Sequence, residues 1–325
     1  MSEISRALDR VLALELVRVT ERAAVAAARL RGRGDEVAAD QAAVDAMRRE
    51  LNALDIQGTV VIGEGERDEA PMLFIGEEVG TGKGPKVDIA LDPLEGTTIT
   101  AKAMPNSLAV IAMAEAGSLL HAPDVYMDKI AIGGGYPDGL VDLDRTPAEN
   151  LSALAEAKGV DVKDITACIL DRPRHASLIE AVREVGSAIQ LIGDGDIAGV
   201  ISTTDPDDTG IDIYIGIGGA PEGVLAAAAL RCIGGQMQGR LVTSSDDQKA
   251  RARKMGIEDF DRKYTMQEMA SGDVIFAAAG VTDGSMLSGV KMCGDAIYTE
   301  TVVMRSSTGT TRWIKAKHKH LSKFE

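Results

Sequence analysis

The stretch DPLEGTT, residues 92–98, holds the densest set of groups able to do chemistry. Val87, Ile89 and Leu91 alternate with small or polar residues, which predicts a strand ending in Asp92. Pro93 fixes the backbone at that end, and Glu95 returns a second carboxylate to the same point. Gly96 lets a phosphate approach main-chain N–H groups, and the Thr97 hydroxyl can orient a water. Two carboxylates three residues apart at a strand-to-turn junction can share a pair of hard divalent cations. A decorated surface turn is the competing reading, but it does not require Asp, Pro, acid, Gly and Thr in that order.

Three other segments carry acids where ordinary packing does not ask for them. Asp40 interrupts a helical stripe of Val37, Val44, Met47, Leu51 and Leu54. A lone buried carboxylate is costly unless it is paired, protonated or bound to a metal. A rotation of this helix would instead expose it. Glu64, Glu66, Asp68 and Glu69 crowd GEGERDEAP, just after the apolar run Thr59–Ile62. Strand ends are where open α/β sheets place their ligands, although an acidic solvated loop also fits. Glu222 sits in GIGGAPEGV, with Pro221 suited to the first helical position. A first-turn acid is also favoured by the helix dipole alone. A dinucleotide fingerprint is disfavoured here, because an acid is wanted about twenty residues on and the chain there reads MQGRLV.

The complementary charge lies in DRPRH. Arg172, Arg174 and His175 follow one apolar run and precede a helix, and guanidinium forks match phosphate oxygens. Two arginines at a helix start oppose its dipole, which favours an anionic ligand over a solvated surface. Asp194, Gly195 and Asp196 close another strand, and acids beside glycine suit sugar hydroxyls as well as an ordinary turn.

The elements that must position these groups alternate. Two helices come first, one striped by Leu12, Leu16, Val19, Ala23, Ala26 and Leu30, the other over residues 36–54. Strands follow at residues 59–62, 87–91, 108–113 and 128–132. A β/α alternation then takes strands at 166–170, 189–192, 211–217, 240–242 and 274–278, with helices between them. An antiparallel pair at 297–303 and 311–315 closes the chain. A first lobe, residues 1–150, is expected to carry most of the metal ligands. A second, 151–325, is expected to carry the sugar and phosphate contacts with Glu222. A mixed α/β fold of two packed lobes follows.

Composition narrows the function. The net charge of −15 repels nucleic acid and anionic lipid, so neither is an expected partner. It also repels phosphorylated metabolites, so a phosphate enzyme of this charge needs local cations from metal or arginine. No apolar run reaches the roughly 20 residues needed to span a bilayer. The start lacks the layout of a secretion signal, and Cys168, Cys232 and Cys293 match no metal spacing. A cytoplasmic protein with free thiols is the expectation.

The motifs RVTERAAVAAARLRGRGD, AADQAAVDAMR, VIGEGERDEAPML, DIALDPLEGT, APDVYM, DRPRH, DGD, GIGGAPEGV and VIFAAAGVTDG together resemble class II fructose-1,6-bisphosphatase, the GlpX family, over residues 8–318. DPLEGT is also similar to the signature of the lithium-sensitive phosphatases, which include the inositol monophosphatases. That kinship implies a layered αβαβα sugar-phosphatase fold. The resemblance implies metal ligands at Asp40, Glu64, Asp92, Glu95 and Glu222, binding Mn²⁺ or Mg²⁺. It implies substrate contacts from Glu95, Gly96, Thr97, Tyr126, Arg172, Pro173, Arg174, Asp194, Gly195, Asp196 and Gly219. Arg172 stands where some members carry lysine. Thr97, helped by a neighbouring carboxylate such as Glu64 or Asp92, would aim the attacking water. The implied substrate is a small sugar bisphosphate and the implied assembly a homo-oligomer, a dimer or tetramer. Sedoheptulose 1,7-bisphosphate, an inositol-type monophosphate, and a non-catalytic metabolite sensor are the alternatives.

Overall fold

In a computed structural model, which describes residues 8–66 and 72–325, the chain forms two compact units. One comprises Met1–Leu120 with Ser271–Glu325, the other His121–Ala270. The boundary expected near residue 150 is therefore replaced by two crossings, after residues 120 and 270. The cause is strand pairing. The strand Val274–Gly280 takes its place beside Leu108–Glu115, far away in sequence, and pulls the C-terminal segment into the first unit.

The first unit is built on an eight-stranded mixed sheet. Its strands are β1 (Gln57–Ile62), β2 (Glu78–Val79), β3 (Lys86–Glu95), β4 (Leu108–Glu115), β11 (Val274–Gly280), β12 (Lys291–Cys293), β13 (Ala296–Arg305) and β14 (Thr310–His318). The order is β12-β13-β11-β4-β3-β1-β2, with β14 on the outer side of β13. Only β1 and β3 run parallel, so they send their C-terminal ends the same way.

Two helices pack on this sheet. Asp9 caps Arg10–Ala28 by accepting from the Val11 N–H, and Asp35 caps Glu36–Leu51 by accepting from the Ala38 N–H. The first helix buries residues on most of its circumference, among them Leu16, Val17, Val19, Ala23, Ala24 and Ala27. The second buries Ala39, Ala43, Val44, Met47 and Leu51. Its apolar face is thus turned from the expected stripe. Val37 is 79% exposed, and Asp40 lies at the rim of the face, half-buried. Alanines 39 and 43 can approach the sheet more closely than the larger residues at 37 and 40, and that closeness sets the rotation.

The second unit has a six-stranded sheet. Its strands are β5 (Tyr126–Ile132), β6 (Thr166–Leu170), β7 (Ala188–Ile192), β8 (Ile213–Gly219), β9 (Gln236–Val242) and β10 (Lys263–Thr265), in the order β10-β9-β5-β8-β6-β7. Side chains alternate along β5. Ile130 and Ile132 join a core with Leu151, Leu154 and Val182 from the helices Pro147–Lys158 and Ala176–Val185. Met127 and Lys129 face the helix Ala220–Ile233, where Gly223 leaves them room.

Candidate functional site

The first unit gathers carboxylates at the shared C-terminal ends of β1 and β3. Ile62 pairs with Ala90, so Glu64 and Asp92 each lie two residues beyond that pair. Backbone bonds clamp the acidic turn. The Glu64 N–H donates to the Leu73 carbonyl at 3.1 Å, and the Ile75 N–H donates to the Gly65 carbonyl at 2.9 Å. A side chain at Gly63 would run into the Leu73 carbonyl. Burial pushes the Glu64 carboxyl up to about 8, and the charge of Asp40 adds to the effect. Burial also raises Asp40. The fold therefore brings these two acids together. Asp68 and Glu69 lie outside the described residues, while Glu66 remains on the described part of the turn.

Asp92 does not end its strand. β3 continues through Glu95, and its register against β4 shifts between Asp92–Val110 and Glu95–Leu108. One extra residue is accommodated there, a β-bulge at Pro93 and Leu94, where proline's missing N–H leaves no ladder bond to break. Asp92 Oδ1 accepts from the Leu94 N–H at 3.0 Å across the bulge. Glu95 is buried. Gly96 takes φ 86°, the left-handed region, and opens the short helix Thr97–Ala101. Thr97 is half-buried at its start.

A hydroxyl chain that sequence reasoning missed anchors this turn. Ser107 Oγ donates to the Glu95 carbonyl at 3.0 Å and lies 2.6 Å from Thr100 Oγ1. Thr282 Oγ1 in turn accepts from the Ser107 N–H at 2.9 Å. Nothing in spacing marks Ser107, because its partners lie on three different segments.

The second unit holds a pocket of about 370 Å³. Tyr126, Arg172, Arg174, Asp194, Asp196, Gly219 and Glu222 all line it. Pro173 opens the 3-10 turn Pro173–His175, and Gly195, at φ 85°, precedes the helix Asp196–Ser202. Arg174 is aimed by two contacts. Its Nε and Nη2 donate to the Ile217 carbonyl at 2.9 and 2.7 Å, and its guanidinium lies 4.7 Å over the Tyr126 ring. Arg172 approaches Asp194 at 3.9 Å.

His175 works as a strut. Its Nδ1 bonds the Leu170 carbonyl at 2.7 Å, and its Nε2 accepts from the Ile217 N–H at 2.8 Å. Accepting at Nε2 requires the neutral ring, burial lowers its pKa in the same sense, and the two bonds tie the arginine turn to β8.

Beneath the pocket lies a buried cluster. The Lys129 ammonium donates to Asp196 Oδ2, and to the Gly219 carbonyl at 2.8 Å. Glu222 Oε2 is sealed from solvent without a hydrogen-bond partner. Burial pushes the Glu222 carboxyl up to about 7, with the Asp196 charge adding to the effect and Lys129 opposing it. A side chain at Gly219 would collide with that carboxylate.

Among the described residues, no three His, Cys, Asp or Glu side chains converge as a metal cage. The expected ligands are divided instead, with Asp40, Glu64, Asp92 and Glu95 in the first unit and Glu222 in the second. Their chemistry nonetheless fits a hard cation. All donors are oxygens, Asp40 and Glu64 repel one another, and one oxygen of Glu222 lacks a partner.

Acid-rich strand ends in one unit and a pocket lined by arginines and acids in the other are what a phosphate-ester hydrolase of mixed α/β fold would carry. A family model described as bacterial fructose-1,6-bisphosphatase, glpX-encoded, matches residues 10–318, and the chain belongs to that family. It is 44% identical to a D-fructose 1,6-bisphosphatase class 2/sedoheptulose 1,7-bisphosphatase of Synechococcus sp. (strain JA-3-3Ab), covering 96% of each chain. A relative of the same description in Prochlorococcus marinus (strain NATL1A) is 43% identical over 96% of this chain and 97% of its own.

Proposed function

We propose that the protein hydrolyses the 1-phosphate of fructose 1,6-bisphosphate to fructose 6-phosphate and phosphate, a step of gluconeogenesis. The observation that carries this reading is the second unit's pocket. Two arginines, three aspartates and Glu222 line one cavity, a set suited to a hydroxyl-rich sugar that bears a second phosphate. Family membership gives the reaction class.

Asp40, Glu64, Asp92 and Glu95 are the residues that would hold Mn²⁺ or Mg²⁺, and Glu222 offers a further carboxylate. The cation, when bound, supplies positive charge for the phosphoryl oxygens and acidifies a water. Arg174 and Arg172 bind the phosphate that does not react, and Asp194 and Asp196 accept hydrogen bonds from sugar hydroxyls. Gly96 admits the reacting phosphoryl group close to the backbone. Thr97 Oγ1 orients the attacking water, and a carboxylate oxygen of Glu64 takes its proton. The water oxygen bonds to phosphorus as the bridging P–O bond breaks, and the leaving C1 oxygen gains a proton. No phosphoenzyme is needed. The same proposal makes the protein a cytoplasmic homo-oligomer, a dimer or tetramer, supported by the family resemblance.

Phosphate release from a substrate panel, with Mn²⁺ or Mg²⁺, tests the reading. Turnover of fructose 1,6-bisphosphate well above that of an inositol monophosphate is expected, and the reverse order would overturn it. Sedoheptulose 1,7-bisphosphate belongs in the panel, because the Synechococcus and Prochlorococcus relatives carry that activity in their names.

A further inference from the structure

We propose that Lys129 is a positioning residue for sugar recognition, acting through Asp196; this rests on the fructose 1,6-bisphosphate reading. Lys129 sits mid-strand in β5 with no exposed surface, an unusual place for a lysine. Its register partners on the two neighbouring strands are both glycines, Gly216 on β8 and Gly239 on β9. Two further glycines open space for it. A side chain at Gly218 would collide with the Asp196 carboxylate and come within 2.9 Å of the Lys129 ammonium. One at Gly223 would come within 3.3 Å of the Lys129 stem.

This arrangement is a poor way to gain stability. Removing an ammonium and a carboxylate from water costs several kcal/mol per ion, and well-packed apolar residues often replace such pairs without loss. What the pair does provide is a fixed carboxylate. The ammonium holds Asp196 Oδ2 and the Gly219 carbonyl at once, and both residues line the pocket. With Oδ2 committed to Lys129, Oδ1 is the oxygen left to meet a sugar hydroxyl. Gly218 and Gly223 leave the room that this contact needs.

The test compares Lys129→Met, Asp196→Asn and the double variant by steady-state kinetics at saturating metal, by calorimetric binding of fructose 6-phosphate, and by thermal melts. Lys129→Met should raise KM, and the dissociation constant of fructose 6-phosphate, by about tenfold, the loss of one charge-assisted contact shared by ground and transition states, with kcat changed less than about threefold. The double variant should be no worse than the poorer single one, since both changes remove the same contact. It carries no uncompensated buried charge, so it stays folded where Lys129→Met alone does not. In that case Lys129→Gln, smaller and still a hydrogen-bond donor, replaces Lys129→Met, and a raised KM in the folded variant supports the proposal while a wild-type KM overturns it. A folded Lys129→Met with wild-type KM, or a double variant that multiplies the single effects, would overturn it. A purely structural ion pair would lower the melting temperature and leave KM unchanged. Wild-type protein that neither cleaves the bisphosphate nor binds fructose 6-phosphate would instead sink the functional reading beneath it.

Discussion

Single side chains carry the sharpest expectations. Asp92→Asn and Glu222→Gln each remove a charged oxygen and keep the shape, so turnover should be abolished with the fold intact. Phosphate release at saturating metal and a melting curve check this, and near wild-type activity in either variant would refute the ligand assignment. Thr97 and Arg174 should fail differently. Arg174→Ala removes a phosphate contact common to ground and transition states, so KM should rise about tenfold or more with kcat less affected. Thr97→Ala should cut kcat strongly with KM nearly unchanged, and Thr97→Ser should keep part of the rate. A wild-type kcat in Thr97→Ala would remove its water-orienting role. The acids and arginines were legible because charge beside an apolar run is conspicuous. Lys129 and Ser107 were not, because each draws its meaning from partners distant in sequence, Asp196 and Gly219 for the one, Glu95 and Thr282 for the other.

At the scale of elements, periodicity located most strands and the longer N-terminal helices, but not the helix Pro147–Lys158, the short strands β2, β10 and β12, or the finer geometry. The expected end of β3 at Asp92 is a bulge that runs on to Glu95. The helix carrying Asp40 is turned from its expected face, with the small residues Ala39 and Ala43 buried in place of Val37 and Asp40. A further element-level contact yields a pH expectation. His318, at the end of β14, is buried. Its Nε2 lies 2.9 Å from Thr299 Oγ1, which donates to Glu21 Oε1 at 2.7 Å, while Lys323 donates to its Nδ1 at 2.8 Å. The facing charges are Glu21 and Arg22 of the first helix and Lys323 of the last turn. Burial lowers the His318 pKa, Lys323 and Arg22 reinforce this, and Glu21 opposes it. A lowered folded value means the unfolded chain binds more protons below about 6.5, so this contribution is present above that pH and is lost as pH falls. Melting temperatures between pH 7.5 and 5.5 should drop more steeply in the wild type than in His318→Gln. Parallel slopes would show that His318 is not the titrating group.

For the whole molecule, the fold class was readable and the division of the chain was not. No linker marks residues 120 or 270, and strand pairing between β4 and β11 leaves no trace in local pattern. None of the three cysteines is in a disulfide; Cys168 and Cys232 are buried and Cys293 is exposed, and burial pushes the Cys168 thiol up to about 12. A thiol reagent should therefore titrate one group quickly in the native protein and three after unfolding. Fast reaction of two or more native thiols, or a mobility shift on a non-reducing gel, would contradict this assignment.

The interrupted first unit also sets an order of birth. Its sheet lacks β11 to β14 until residues 271–325 have been synthesised, whereas the second unit is one unbroken stretch, 121–270. On the ribosome the later-starting unit is thus the first to have all its strands, and the earlier one must wait in an open-edged, aggregation-prone form for about its last third. A chain truncated after Ala270 should keep a protease-resistant core from the second unit and lose the first. Protection of both units in that fragment would show that the first sheet closes without its returning strands.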